Sequence, residues 1–248
     1  MKIENKDFWE RDDVIHSQDK HMTSTSDYEL YLYKKAQQYF SKMKITVNKA
    51  KSFGCGTGRE LNGIIATLSP EKIVATDIAE NMIRKAKVNV LEWGFQDRVT
   101  LEIADATRYT DTNESYELVT LMSCTLTYIS KKVDRYAVFK TSYDILKPKG
   151  CLVGVVHNQV GTPQKTVYFL LRRLLKPFLK NEVGNRTAGF YGFDVPGYYF
   201  SKKDLFKHLN DNGFKNIEIK SLSDLYKETN KPYNRLKGYN NLIFFATK

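Results

Sequence analysis

Lys51-Ser52-Phe53-Gly54-Cys55-Gly56-Thr57-Gly58-Arg59-Glu60-Leu61 reads as the end of a strand, a glycine-rich turn and the first turn of a helix. In an α/β sheet such a turn presents backbone N–H groups to an anionic ligand. Glycine lets the chain bend sharply and approach a ligand with no Cβ in the way. A dinucleotide fingerprint would read G-x-G-x-x-G, and Arg59 occupies its sixth position, which disfavours that reading. Taken alone, the three glycines also fit an ordinary tight strand-to-helix turn.

Two acidic residues narrow the choice. Asp77 closes the apolar run Ile73-Val74-Ala75-Thr76, 19 residues past Gly58, where a carboxylate at the end of a second strand can accept from ribose hydroxyls. Asp105 closes the next strand-like run, Val99 to Ala104. Each acid also suits a helix cap or a turn. Together, Gly54-x-Gly56-x-Gly58, Asp77 and Asp105 resemble the class I S-adenosylmethionine (SAM) methyltransferase family, small-molecule branch, over roughly residues 45–157 and 201–248.

The resemblance implies a Rossmann-like α/β fold: a seven-stranded, mostly parallel sheet with an antiparallel last strand. It implies SAM as cofactor, S-adenosylhomocysteine as product and no metal. On the family pattern Gly54, Cys55 and Gly56 approach the amino-acid end of SAM, and Asp77 holds the ribose with Ile78 over the adenine. Asp105, with Ala106 after it, takes the adenine amino group, and Ser123 completes the cofactor side. Family members commonly place an acid two residues before the first glycine to hold the SAM ammonium, and here that position is Ser52.

With 248 residues, 42% of them hydrophobic, the chain can bury a full core. One domain is expected, with an N-terminal helical cap (1–44), a cofactor-binding core (45–157), an inserted acceptor lid (158–200) and a completing helix and strands (201–248). Apolar stretches fall short of a membrane span and the first residues are charged, so a cytoplasmic location is expected. Cys55, Cys124 and Cys151 lie in or beside expected core strands without paired spacing, which points to buried reduced thiols and no zinc site.

In chain order, residues 1 to about 25 show no sustained period. Ser26-Asp27-Tyr28-Glu29 is a capping box that opens a helix through Tyr31, Leu32, Ala36, Tyr39 and Phe40. Strands near 50–54, 73–77, 99–103, 118–122 and 150–156 then alternate with helices near 58–68, 80–93 and 131–146, the pattern of a parallel sheet. Lys147-Pro148-Lys149-Gly150 reads as a turn before the fifth strand. Ser201-Lys202-Lys203-Asp204 caps a further helix, and Phe214–Ile219 and Asn241–Thr247 supply two last strands.

The chemistry is expected at the carboxyl ends of the strands. Tyr128, after the fourth strand, either faces the acceptor or packs. His157, directly after the fifth, either takes a proton from a hydroxyl acceptor or is a hydrogen-bonded histidine at a strand end. Within 158–200, Val167, Leu170, Leu171, Leu174, Leu175 and Phe178 form a helical stripe that could pack inward, leaving Arg172 and Arg173 to bind substrate phosphate; Pro177 should end the helix.

Lys plus Arg number 39 against 28 Asp plus Glu, and the surplus of +11 favours a phosphate-bearing substrate, nucleic acid or a membrane surface as partner. The charge is localised: residues 157–207 hold nine basic and three acidic residues, whereas residues 1–50 hold nine and eight. A basic amphipathic helix over 163–180 could alternatively lie on an anionic membrane. The expected function is therefore SAM-dependent methylation, at O or N, of a small phosphate-bearing or nucleotide-linked sugar-type metabolite. The rivals are an RNA methyltransferase, not favoured without an appended RNA-binding module, and a catalytically silent SAM-binding or assembly protein.

Overall fold

The structure is a computed structural model, and it describes residues 5–21, 24–190, 192–234, 236 and 239–248. Helices α1 (Asn5–Trp9), α2 (Asp12–His21) and α3 (Asp27–Met43) precede the first strand. Then β1 (Lys49–Phe53), α4 (Arg59–Leu68), β2 (Lys72–Asp77), α5 (Glu80–Glu92) and β3 (Val99–Ile103) form one wing of the sheet. The other wing holds β4 (Tyr116–Leu121), a 3-10 turn (Thr125–Tyr128), α6 (Lys132–Ile145) and β5 (Leu146–Val156). An insert follows, with α7 (Pro163–Leu174), β6 (Asn185–Phe190) and β7 (Phe193–Tyr198). Helix α8 (Lys202–Asp211), β8 (Lys215–Ser221), α9 (Leu222–Glu228) and β9 (Leu242–Thr247) complete the fold.

The main sheet has seven strands in the order β3-β2-β1-β4-β5-β9-β8. β9 runs antiparallel to both its neighbours, and the other pairings are parallel. The strand order reverses between β1 and β4, and in open α/β sheets ligands bind at the carboxyl ends beside such a reversal. Helices cover both faces, so β4 and β9 are buried along their whole length and read as continuous apolar runs. The sheet and the element boundaries agree with the sequence reading to within about four residues.

Three parts differ from expectation. The supposed turn Lys147–Gly150 is a bulge inside β5: Lys149 sits at φ 65 and the ladder shifts register between Tyr116 and Leu118. The N-terminal stretch, too short for a period to emerge, folds into α1 and α2 with Phe8 and Val14 buried. The insert contains an antiparallel hairpin, β6 with β7. Its sequence hides it, because Gly189, Pro196 and Gly197 interrupt any alternation, and Pro196 is tolerated only because this two-stranded unit offers a free edge.

The N-terminal helices are fastened to the core by specific polar contacts. Glu10 accepts from the backbone N–H groups of Glu80 and Asn81 at 2.8 and 2.9 Å, capping α5 from outside. Gly63, inside α4, is required by close approach, since a Cβ there would strike Thr25 and Tyr33. The cap therefore lies directly on the helix that follows the glycine turn.

Candidate active site

Gly54, Gly56 and Gly58 adopt φ values of 67, 53 and 85°, in the region that favours glycine. A Cβ on Gly54 would strike the Thr125 side chain, and one on Gly56 the amide of Gln18. The turn is thus hemmed by the loop after β4 on one side and by α2 on the other. Asp77 joins the second strand end to this turn: Oδ2 accepts from Gly56 N–H at 2.8 Å and Oδ1 from Ala79 N–H at 3.0 Å. Burial raises the Asp77 carboxyl above its ordinary pKa, while the backbone donors of Ala79, Gly56 and Ile78 pull it down. Each oxygen retains accepting capacity beyond these bonds. Asp105 Oδ1 accepts from the backbone and hydroxyl of Thr107 at 2.8 and 2.7 Å, an Asx turn at the third strand end. Ile78 and Ala106, both partly buried, come directly after these two acids.

Arg59, the residue that breaks the dinucleotide pattern, is 5% exposed and pairs in a fork with the fully buried Glu29, at 2.6 Å on both nitrogens. The same guanidinium donates to Ser24 O at 2.8 Å and reaches Ser123 Oγ at 3.4 Å. Glu29 also closes the capping box of α3 by accepting from Ser26 N–H at 2.8 Å. One ion pair therefore links the N-terminal cap, the start of α4 and the loop after β4.

Ser52 donates to Oε1 of Glu60, a carboxyl supplied from the first turn of α4 rather than from the strand. Glu60 is buried, its Oε2 has no hydrogen-bond partner, and burial pushes its pKa up to about 8. A buried carboxyl oxygen without a partner is costly in a resting fold.

On the β5 side, His157 is 7% exposed and its backbone N–H donates to Thr127 Oγ1 at 2.9 Å. Asn241 Nδ2 donates to Cys124 Sγ at 3.5 Å, which turns Oδ1 of the same amide toward His157 Nδ1 at 2.9 Å. Nδ1 therefore carries the proton, and the lone pair lies on Nε2, which is buried and without a partner. Burial lowers the His157 pKa to about 4, with Lys165 adding to the fall and the Asn241 bond opposing it, so the ring is neutral at physiological pH. Tyr199 and Tyr239 stack on it at 5.1 and 6.0 Å, and Tyr128 meets it edge-on at 6.1 Å. Tyr128 in turn holds Trp9 edge-on at 4.9 Å, so the N-terminal cap reaches this aromatic wall.

The insert does not present its arginines as expected. Val167, Leu170, Leu171, Leu174, Leu175 and Phe178 are 51 to 83% exposed, and only Phe169 of α7 is buried. Arg172 lies instead on the inward side, donating to Val183 O at 2.9 Å and Glu182 O at 2.8 Å, and Arg173 reaches Gln159 Oε1 at 2.9 Å. The returning chain at 182–183 has carbonyl groups to satisfy, and the Arg172 guanidinium satisfies them, which turns the apolar stripe outward. The helix ends at Leu174 and Lys176–Phe178 forms a 3-10 turn, in keeping with Pro177.

Sequence reasoning missed Glu60, Asn241, Lys165, Arg186 and Tyr199 as site residues. Glu60 adjoins the glycine turn and its acid in a first helical turn was a usable signal; the others meet only through the tertiary fold. The three cysteines are buried and unpaired. Among the described residues no cluster could hold a metal ion, and no helix is long and apolar enough to cross a membrane.

Comparison with known proteins agrees with this geometry. Residues 52–150 match the family model described as a methyltransferase domain. No curated protein matches the chain by sequence. A SAM-dependent methyltransferase from Clostridium acetobutylicum is similar in structure at a TM-score of 0.62 and 16% identity, covering 94% of this chain and 96% of that one. One from Methanosarcina mazei gives 0.61 at 17%, covering 82% and 93%. A Haemonchus contortus phosphoethanolamine N-methyltransferase, solved with phosphomonomethylethanolamine and S-adenosylhomocysteine, gives 0.56 at 16%, covering 95% of this chain and 60% of that one. Residues 52–150 thus match a methyltransferase domain, and the β3-β2-β1-β4-β5-β9-β8 sheet has the fold of the SAM-dependent methyltransferases that the chain is similar to in structure.

Proposed function

We propose that this enzyme transfers the SAM methyl group to an oxygen or nitrogen of a small, phosphate-bearing or nucleotide-linked sugar-type metabolite. The observation that carries the acceptor side is the buried, unpartnered Nε2 of His157, held in the proton-accepting tautomer by Asn241 among Tyr128, Tyr199 and Tyr239. The cofactor cradle fits SAM: a glycine turn that a Cβ would fill, Asp77 at the second strand end, and the orphaned Oε2 of Glu60. When bound, SAM supplies an electrophilic methyl group. Glu60 would receive the SAM ammonium in place of the acid missing at Ser52, Asp77 the ribose hydroxyls, and Asp105 and Ala106 the adenine edge. The cap and the aromatic wall exclude water, and the rate follows largely from alignment, worth about 7–11 kcal/mol in favourable intramolecular cases.

Calorimetry with SAM and NAD tests the cofactor. SAM should bind and NAD should not, and tight NAD binding without SAM would overturn the reading. Asp77→Ala should weaken SAM by about 1.5–3 kcal/mol, or roughly 10- to 150-fold, if its carboxylate holds the ribose by charged hydrogen bonds. An unchanged affinity would leave Asp77 as a loop tie alone. Incubation with methyl-labelled SAM and a panel of phosphorylated and nucleotide-linked metabolites identifies the acceptor.

A second feature, the outward stripe of α7, supports peripheral contact with an anionic membrane. It is apolar from Val167 to Phe178 and is flanked by the exposed Arg173, Lys176 and Lys180, the arrangement of an interfacial helix. Flotation with phosphatidylserine vesicles should recover the wild type, and Leu171→Glu with Leu174→Glu should abolish it. Equal recovery of both proteins would leave the stripe without this role.

A further inference from the structure

Two cations near His157 have no counter-ion among the described residues. Lys165, in the first turn of α7, places Nζ 5.6 Å from the ring centre of Tyr199, the ring that stacks on His157. Arg186, on β6, lies 5.8 Å from the same ring and 5.1 Å from Tyr168. Its Nη1 is buried with no hydrogen-bond partner, and among the described residues neither cation takes part in an ion pair. Most other basic groups of this segment are spent or turned outward: Arg172 and Arg173 bond to the insert's own carbonyl and amide oxygens, and Lys176 and Lys180 face solvent.

Like charges drawn together without an acid between them repel, and the fold bears that cost only if a ligand relieves it. Burial chiefly, and the nearby Arg186 charge after it, lower the Lys165 pKa to about 8.

We infer that Lys165 and Arg186, which both approach the ring of Tyr199 between α7 and the β6–β7 hairpin, hold the phosphate group of the methyl acceptor. The inference rests on the methyl-transfer reading for the identity of the ligand's other end. A phosphate spans the two cations as an acceptor of charge-assisted hydrogen bonds, the guanidinium offering its two-pronged edge and the ammonium a point charge. It lies one aromatic ring away from His157, so a short acceptor would place its hydroxyl or amine at Nε2 while its phosphate is anchored in the insert. The insert would then choose the substrate through the inward face of α7.

The test uses the full chain, with inorganic phosphate and a phosphate monoester as probes at fixed ionic strength, read by phosphorus NMR titration and by calorimetry with SAM. Lys165→Gln with Arg186→Gln should weaken phosphate about 10-fold or more and raise the KM of a phosphorylated acceptor, leaving SAM affinity unchanged. Lys165→Arg, which keeps the charge, should retain phosphate binding. Should the double variant not fold, Lys165→Gln alone decides, because its side chain is only partly buried and, among the described residues, makes no ion pair that the change would break. Equal phosphate affinity in wild type and variant overturns the subsite. The two proposals separate cleanly: phosphate binding without SAM binding would remove the methyl-transfer reading and keep the subsite, and SAM binding without phosphate would do the reverse.

Discussion

His157→Ala is expected to lower kcat by roughly 10² to 10⁴ when the acceptor is a hydroxyl, with SAM affinity unchanged. Substitution leaves the cofactor side intact, because no bond of the His157 ring touches the glycine turn, Asp77 or Glu60; its partner is Asn241 and its neighbours are tyrosines. The pH profile carries a second signature. An exposed histidine would lose its base form below about pH 6.5. Burial lowers His157 to about 4, so kcat should stay level through pH 6 and fall only as the pH nears 4. The same shift makes a stability statement of definite sign. Between about pH 6.5 and 4 the unfolded histidine binds a proton that the folded one refuses, so the folded state loses stability as the pH drops through that window. His157→Ala should remove that part of the acid sensitivity, visible as a shallower dependence of the urea midpoint on pH. A loss of kcat below 10-fold with a hydroxyl acceptor would return His157 to a structural role. With an amine acceptor already neutral at working pH, a small loss is the expected result, so the size of the effect also reports the acceptor's chemistry.

The parts of this molecule that were legible from sequence are those encoded locally. Gly54, Gly56 and Gly58 announce a left-handed turn because few other residues adopt it, and Asp77 and Asp105 mark strand ends because apolar runs stop at them. Alternating periods then fixed the winding, and the pairing of β8 with β9 came from family resemblance alone. The insert was legible only halfway. A stripe at helical spacing identified α7, but the stripe says which residues share a face and not which way that face looks. Direction was set by Arg172 and by the carbonyl groups of residues 182 and 183, ten and eleven positions further on. The same limit hid the chemistry of the site. His157 could be placed at a strand end, whereas its tautomer depends on Asn241 and Cys124, 84 and 117 residues from their respective partners. The acid absent at Ser52 could be noticed, but its substitute Glu60 becomes visible only once α4 is docked against β1.

Arg59→Met is expected to destabilise the protein by about 3–5 kcal/mol, and Glu29→Leu in the same chain to recover most of that loss. The single change leaves Glu29 as a fully buried carboxylate whose remaining partners among the described residues are the backbone and hydroxyl of Ser26. A charge stripped of its pair in that setting is penalised by its full desolvation, whereas removing both charges replaces a costly pair with apolar contacts. Recovery should stop about 1 kcal/mol short, because Glu29 also completes the capping box of α3, and a lost cap costs about that much. Urea unfolding of the two single variants and the double variant measures the coupling, and a single-variant loss under 1 kcal/mol would show that the pair is not what joins these elements. The functional consequence separates from the structural one. Arg59 also reaches Ser123 and opens α4 immediately after Gly58, so it holds the cofactor turn and the loop after β4 in one register with the N-terminal cap. The double variant, restored in stability, should therefore still bind SAM more weakly than wild type. Wild-type SAM affinity in that variant would mean that the glycine turn keeps its shape through Asp77 and its own backbone alone.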